Sequence, residues 1–122
     1  MIIEAKLNPA KLNHFMTNYA SKVPPLITKY GGEYLILGGK HEPLEGEWDE
    51  TTKLVMHKWP NGTMAKQFWN SEEYKEIKMG RVGTGEFRIM LVEGLEVKDL
   101  EEEEEDGSAS MEDDDGPASS EL

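Results

Sequence analysis

Residues 22–39 read KVPPLITKYGGEYLILGG, and this stretch decides the fold. Leu26, Ile27 and Tyr30 share one side of a short helix. Gly31 supplies the left-handed residue that closes such a helix, and Gly32 lets the chain reverse. Residues 33–37, EYLIL, then run as a strand, and Gly38-Gly39 permits a bend or bulge at its end. Upstream, Pro24-Pro25 removes an amide hydrogen and disfavours the helical region for Val23, so a kink or a break is expected there.

Working outward, residues 2–7, IIEAKL, form a first strand. Asn8 is a good helix cap and Pro9 suits the first helical position. Leu12, Phe15, Met16 and Tyr19 recur at i, i+3, i+4 and i+7, the stripe of an amphipathic helix. Past the central stretch comes a polar loop over residues 41–50, with Trp48 embedded in it and Leu44 as its anchor. Residues 53–59, KLVMHKW, make a third strand that Pro60 ends. Asn61-Gly62 opens a helix with Met64, Ala65, Phe68 and Trp69 on one side. Ser71 caps a second piece through Tyr74, Ile77 and Lys78, with Glu72 and Glu73 favourably placed in its first turn. The glycines at 80, 83 and 85 dissolve it, and residues 87–92, FRIMLV, form the last strand.

The order β-α-β-β-α-β predicts an α+β, ferredoxin-like protomer: a four-stranded antiparallel sheet with both helices on one face. A sheet face open to water should alternate apolar and polar residues. The second and fourth strands carry apolar residues on both parities, so a second copy is expected to cover the bare face as an isologous dimer.

Charge divides the chain. Residues 1–95 hold 12 acidic and 12 basic side chains, whereas residues 96–122 hold 13 acidic side chains and one lysine. The tail lacks aromatic residues and has too few apolar ones to offset a backbone ordering cost of roughly 1–2 kcal/mol per residue. Two segments follow: a folded domain over residues 1–98 and a disordered acidic tail over 99–122. With no cysteine, neither disulfides nor thiolate chemistry is available. MIIEAKL carries no charged leader and no run is apolar enough to span a membrane, which predicts a cytoplasmic protein. A neutral domain with an acidic tail is also a poor partner for nucleic acid.

A set of ordered motifs resembles the domain of unknown function 1330 family of the dimeric α/β-barrel superfamily. The set comprises Asn8-Pro9 with Phe15 and Tyr19, Lys22-Val23-Pro24, Lys29-Tyr30-Gly31-Gly32 and Gly38-Gly39. It continues with Leu44-Glu45-Gly46-Glu47-Trp48, Trp59-Pro60, Trp69-Asn70-Ser71-Glu72-Glu73-Tyr74, Arg81 and Val92-Glu93-Gly94. The resemblance implies a ferredoxin-like protomer, a dimer built by stacking two sheets, and a cleft between sheet and helices. Relatives in the wider superfamily include small-molecule isomerases and cofactor-poor monooxygenases. The chain departs from the family pattern at Lys53, His57, Gly83 and Gly85.

Five residues are candidates for a site. His57 titrates near neutral pH and sits mid-strand; it is either a proton carrier in a pocket or a core or interface histidine. Arg81 either clamps a carboxylate or pairs with Glu45 or Glu93. Tyr19, Trp69 and Tyr74 either line a cleft or fill the core. No metal-ligand spacing and no phosphate loop is present, so neither metal nor cofactor is expected.

The leading reading is a homodimer that binds a small, partly apolar or carboxylated metabolite between helices and sheet. Any chemistry would be cofactor-independent isomerisation, lyase or oxygenase chemistry. Arg81 would hold an anionic group, His57 or Tyr74 would move a proton, and Tyr19 and Trp69 would pack the ligand. The alternative is a non-catalytic dimeric scaffold whose acidic tail contacts basic proteins or Ca²⁺.

Overall fold

The computed structural model describes residues 1–95, and the acidic tail predicted over 99–122 lies outside them. The elements are β1 (Ile2–Leu7), α1 (Leu12–Phe15), α2 (Val23–Lys29), β2 (Glu33–Leu37), β3 (Lys53–Lys58), α3 (Gly62–Trp69), α4 (Glu72–Lys78) and β4 (Gly85–Met90). They build a four-stranded antiparallel sheet in the order β2-β3-β1-β4, the expected α+β arrangement. The compact unit runs over Met1–Val92.

Local chemistry explains most boundaries. The Asn8 side chain accepts from the Ala10 amide at 3.0 Å, that of Asn61 from Met64 at 2.9 Å, and that of Ser71 from Tyr74 at 3.0 Å. Each satisfies an amide that the first turn leaves without a partner. Gly31 adopts φ +89° after α2, the left-handed closure expected of it.

Pro24-Pro25 does not interrupt a helix. The chain breaks earlier, at Ser21 and Lys22, and both prolines sit in the first turn of α2. An amide there has no intrahelical acceptor, so proline costs nothing by lacking it. The preceding run is irregular as well: Ser21 donates to the Met16 carbonyl five residues back at 3.0 Å, a π-turn spanning Met16–Ala20.

Two further expectations shift. The last strand lies at Gly85–Met90, two residues ahead of the predicted 87–92, because Gly85 pairs with Leu7 and a Cβ at Gly85 would strike the Lys6 carbonyl. β2 also bulges at Leu35, the unpaired residue between the Tyr34–His57 and Ile36–Met56 pairs, while Gly38 makes the expected bend at the strand's end with φ +66°. Leu44 anchors nothing, being 92 % exposed.

The core lies between the helices and one sheet face. Val23, Leu26 and Ile27 of α2 meet Phe68 of α3 and Tyr74 of α4, all buried. Lys29 and Tyr30 both reach Glu73, at 2.6 and 3.1 Å, but these contacts are exposed and add little to stability.

The opposite face is less apolar than its strands suggested. β1 presents Glu4 and Lys6 there, and β4 presents Glu86 and Arg88, with Arg88 paired to Glu4 at 2.8 Å. What remains apolar is one cross-strand row: Ile36 beside Met56, Met56 beside Ile2, and Ile2 beside Met90. Leu54 on the same face and Leu35 at the β2 bulge are also exposed.

Candidate functional site

Between the helices and the covered sheet face lies a cavity of about 330 Å³, and it gathers all five candidate residues. Tyr19 enters from the π-turn, His57 from β3, Trp69 from the end of α3, Tyr74 from α4, and Arg81 from the turn that follows α4. Strand parity makes this possible: Lys53, Val55 and His57 alternate onto the cavity side, as do Ile3, Ala5 and Leu7 of β1.

One wall is an aromatic chain. Phe15 stacks on Phe87 with centroids 5.9 Å apart and lies 5.4 Å from Tyr19. Tyr19 meets Tyr74 edge-on, and their hydroxyls share a hydrogen bond of 2.8 Å. Tyr74 continues the chain to Phe68 at 4.7 Å and Trp69 at 5.1 Å. Edge-to-face and offset contacts of this kind stabilise beyond plain burial.

Arg81 makes no ion pair among the described residues, so neither predicted glutamate pairing forms. Its guanidinium carbon instead lies 4.8 Å over the Phe87 ring and 5.6 Å over Tyr19. Burial raises the Tyr19 phenol above its ordinary value and the adjacent Tyr74 adds to this, while Arg81 opposes it. Tyr19 therefore stays protonated and can donate or accept a hydrogen bond at any working pH.

His57 is only 7 % exposed. Its ring meets Tyr34 edge-on at 4.8 Å and Trp59 at 6.1 Å. Burial, and next the Met1 amino charge, pulls its imidazole down to about 4. The ring is therefore neutral at pH 7, and a base this weak is poorly matched to proton abstraction there. Burial also pushes the Tyr34 phenol up to about 12.

Three buried side-chain atoms lack a partner among the described residues: His57 Nδ1, Trp59 Nε1 and Arg81 Nε. His57 and Arg81 both line the cavity, so unmet hydrogen-bonding capacity collects where a ligand would sit. Among the described residues no three His, Asp or Glu side chains gather to hold a metal ion. No helix there is long and apolar enough to cross a membrane. The five candidates left out Lys53, Tyr34 and Phe87, which also line the cavity. Lys53 was findable in principle, because it shares the parity of His57.

The tyrosine pair gives a direct check. Tyr19→Phe or Tyr74→Phe each strands one buried hydroxyl and should cost about 1–2 kcal/mol, whereas the double variant should cost clearly less than the sum. Urea denaturation of the four proteins measures the coupling. Strictly additive losses would show that the two hydroxyls do not support each other.

A family model described as a domain of unknown function (DUF1330) matches residues 6–95, nearly all of the compact unit. No curated protein matches the chain.

Proposed function

The chain belongs to the domain of unknown function family DUF1330, and from that premise we propose a homodimer that binds a small, partly apolar metabolite in the cleft between helices and sheet. One observation carries the reading: a single cavity of about 330 Å³ brings Tyr19, His57, Trp69, Tyr74 and Arg81 together. That volume sits at the small end of ligand pockets, and a mostly apolar lining with a few convergent polar groups is their usual make-up.

Within this reading Arg81 holds an anionic group, Tyr19 and Trp69 pack the body of the ligand, and the Tyr19–Tyr74 hydroxyl pair sets its orientation. Turnover, where it occurs, is cofactor-independent isomerisation, lyase or oxygenase chemistry, with His57 or Tyr74 moving the proton. Neutral His57 fits a hydrogen-bonding role in binding better than that of a base, so binding is the primary function.

The dimer rests on the apolar row Ile36, Met56, Ile2 and Met90 across the uncovered sheet face. Stacking that row on its own copy removes it from water and is self-complementary. Thermal-shift screening of the full chain against small carboxylic acids and apolar metabolites should give stabilising hits that Trp69→Ala weakens. No hit from such a library would overturn the binding reading. Sedimentation should show a dimer at micromolar concentration and a monomer for Met56→Glu; a wild-type monomer would remove the dimer.

A further inference from the structure

The charged groups of the cavity are all of one sign. Lys53 and Arg81 are the only charged side chains that line it, and no aspartate or glutamate does. Lys53 and Arg81 pair with no carboxylate among the described residues, and unlike unpaired surface lysines such as Lys11 and Lys66 they line a cavity. An unpaired arginine with a buried, unpartnered Nε is costly unless something anionic meets it.

Register places both charged side chains at one end; the Met1 amino group, which donates to the His57 carbonyl at 2.8 Å, lies at the other. Lys53 is the partner of Ala5 on one side of β1, and Phe87 is the partner of Ala5 on the other. The Arg81 guanidinium lies against that Phe87 ring. Four residues along β1, the Met1 carbonyl accepts from the His57 amide at 2.9 Å. The cation level and the His57 level are therefore separated by about 13 Å of strand. Ile3, Val55 and Ile89 form an apolar floor between them. At the far end His57 is buried, with Nδ1 free.

We propose that the cavity is a site for an elongated monocarboxylate, its head held by Lys53 and Arg81 and its uncharged body lying along β1 towards His57. The inference rests on the binding reading above and narrows it to one ligand class and one orientation; it also adds Lys53 to the site. A carboxylate suits the fork of one arginine, and Lys53 stands at the same level two strands away, about 10 Å across the sheet. A phosphate dianion would ask for more positive charge at this end than Lys53 and Arg81 supply, the other polar side chains of the lining, Tyr19, Tyr34, Tyr74 and His57, being neutral. A neutral apolar ligand would leave both cations unanswered.

Octanoate and 1-octanol share one chain length and differ in the head group, so they separate the charge contribution from the apolar one. In calorimetric titrations of the full chain, octanoate should bind at least about tenfold tighter than octanol, the margin expected of one hydrogen-bonded charge pair. Lys53 is exposed, so Lys53→Met should fold normally and erase most of that preference for the acid over the alcohol. Arg81→Met should act in the same direction. Equal affinity for acid and alcohol would overturn the carboxylate assignment and leave the cavity-binding reading standing. Binding of neither probe would overturn both. A preference for octanoate that persists undiminished in both variants would place the head elsewhere and also overturn the assignment.

Discussion

Gly80→Ala should destabilise the protein by about 2–4 kcal/mol, at or above the usual cost of overpacking, and should loosen the cavity with it. A Cβ at position 80 would collide with the backbone carbonyl of Asn18. Neither group can swing aside as a long side chain would, so the two segments must separate. They are the segments that matter for the site. Asn18 adjoins Tyr19 in the π-turn, and Gly80 adjoins Arg81 in the turn after α4. A separation on the order of 1 Å would stretch the 2.8 Å Tyr19–Tyr74 hydroxyl bond beyond hydrogen-bonding range and lift Arg81 from the Tyr19 ring. Gly62→Ala is the natural control, because a Cβ there meets nothing within 4 Å and the residue opens α3. That substitution should be neutral or mildly stabilising. Urea denaturation followed by fluorescence measures both. A Gly80→Ala protein within about 0.5 kcal/mol of the parent would show that the close approach of Gly80 to Asn18 does not hold the site together.

The parts of this fold legible in sequence are those governed by one residue and its immediate neighbours. Asn61 and Ser71 cap the helices they precede, and Gly31 closes α2, because capping chemistry acts over a few residues. The strand order followed from topology rules that need only the sequence of elements. What escaped depends on pairing between distant segments. The start of β4 at Gly85 is set by the backbone of Lys6 and Leu7, which no local pattern around Phe87 reveals. The fourth strand reads as apolar on its bare side only if Val92 extends it beyond Met90, and Val92 lies beyond the strand's end. With Glu4, Lys6, Glu86 and Arg88 facing outwards, the apolar part shrinks to one row with Leu35 and Leu54.

The site shows the same division. Helical spacing grouped Tyr19 with Phe15, and strand parity linked His57 to Val55, so their shared cavity was within reach. The loss of both glutamate partners for Arg81 was not, because its stacking on Phe87 arises from the β1–β4 pairing. Lys53 shares the parity of His57, but its residue type points elsewhere. A lysine at the start of a strand is ordinarily a solvated edge residue, and only the absence of acids from the cavity gives it a role.

His57 should make the fold acid-sensitive. In the unfolded chain an imidazole binds its proton near pH 6.5, whereas burial holds the folded one at about 4. Between those values the unfolded state carries more protons, so stability rises with pH across the window. The full contribution is present above about pH 6.5 and is lost as the pH falls through about 4. At about pH 4.5 the loss should be roughly 2–3 kcal/mol relative to about pH 7.5. Of the groups near the ring, Tyr34 ionises only far above neutrality and Trp59 not at all, while burial also lowers the Met1 amino group, so the parent is compared with a variant that lacks only the imidazole. Asp49, held down to about 2 by hydrogen bonds from Thr51 and by Lys6, responds at lower pH. His57→Gln keeps a polar side chain at the site and removes the titration. Its stability should be lower than the parent's at neutral pH and nearly flat between the two pH values. A parent protein equally stable at both values would mean that the imidazole is hydrated in solution, and the closed end of the cavity would have to be open.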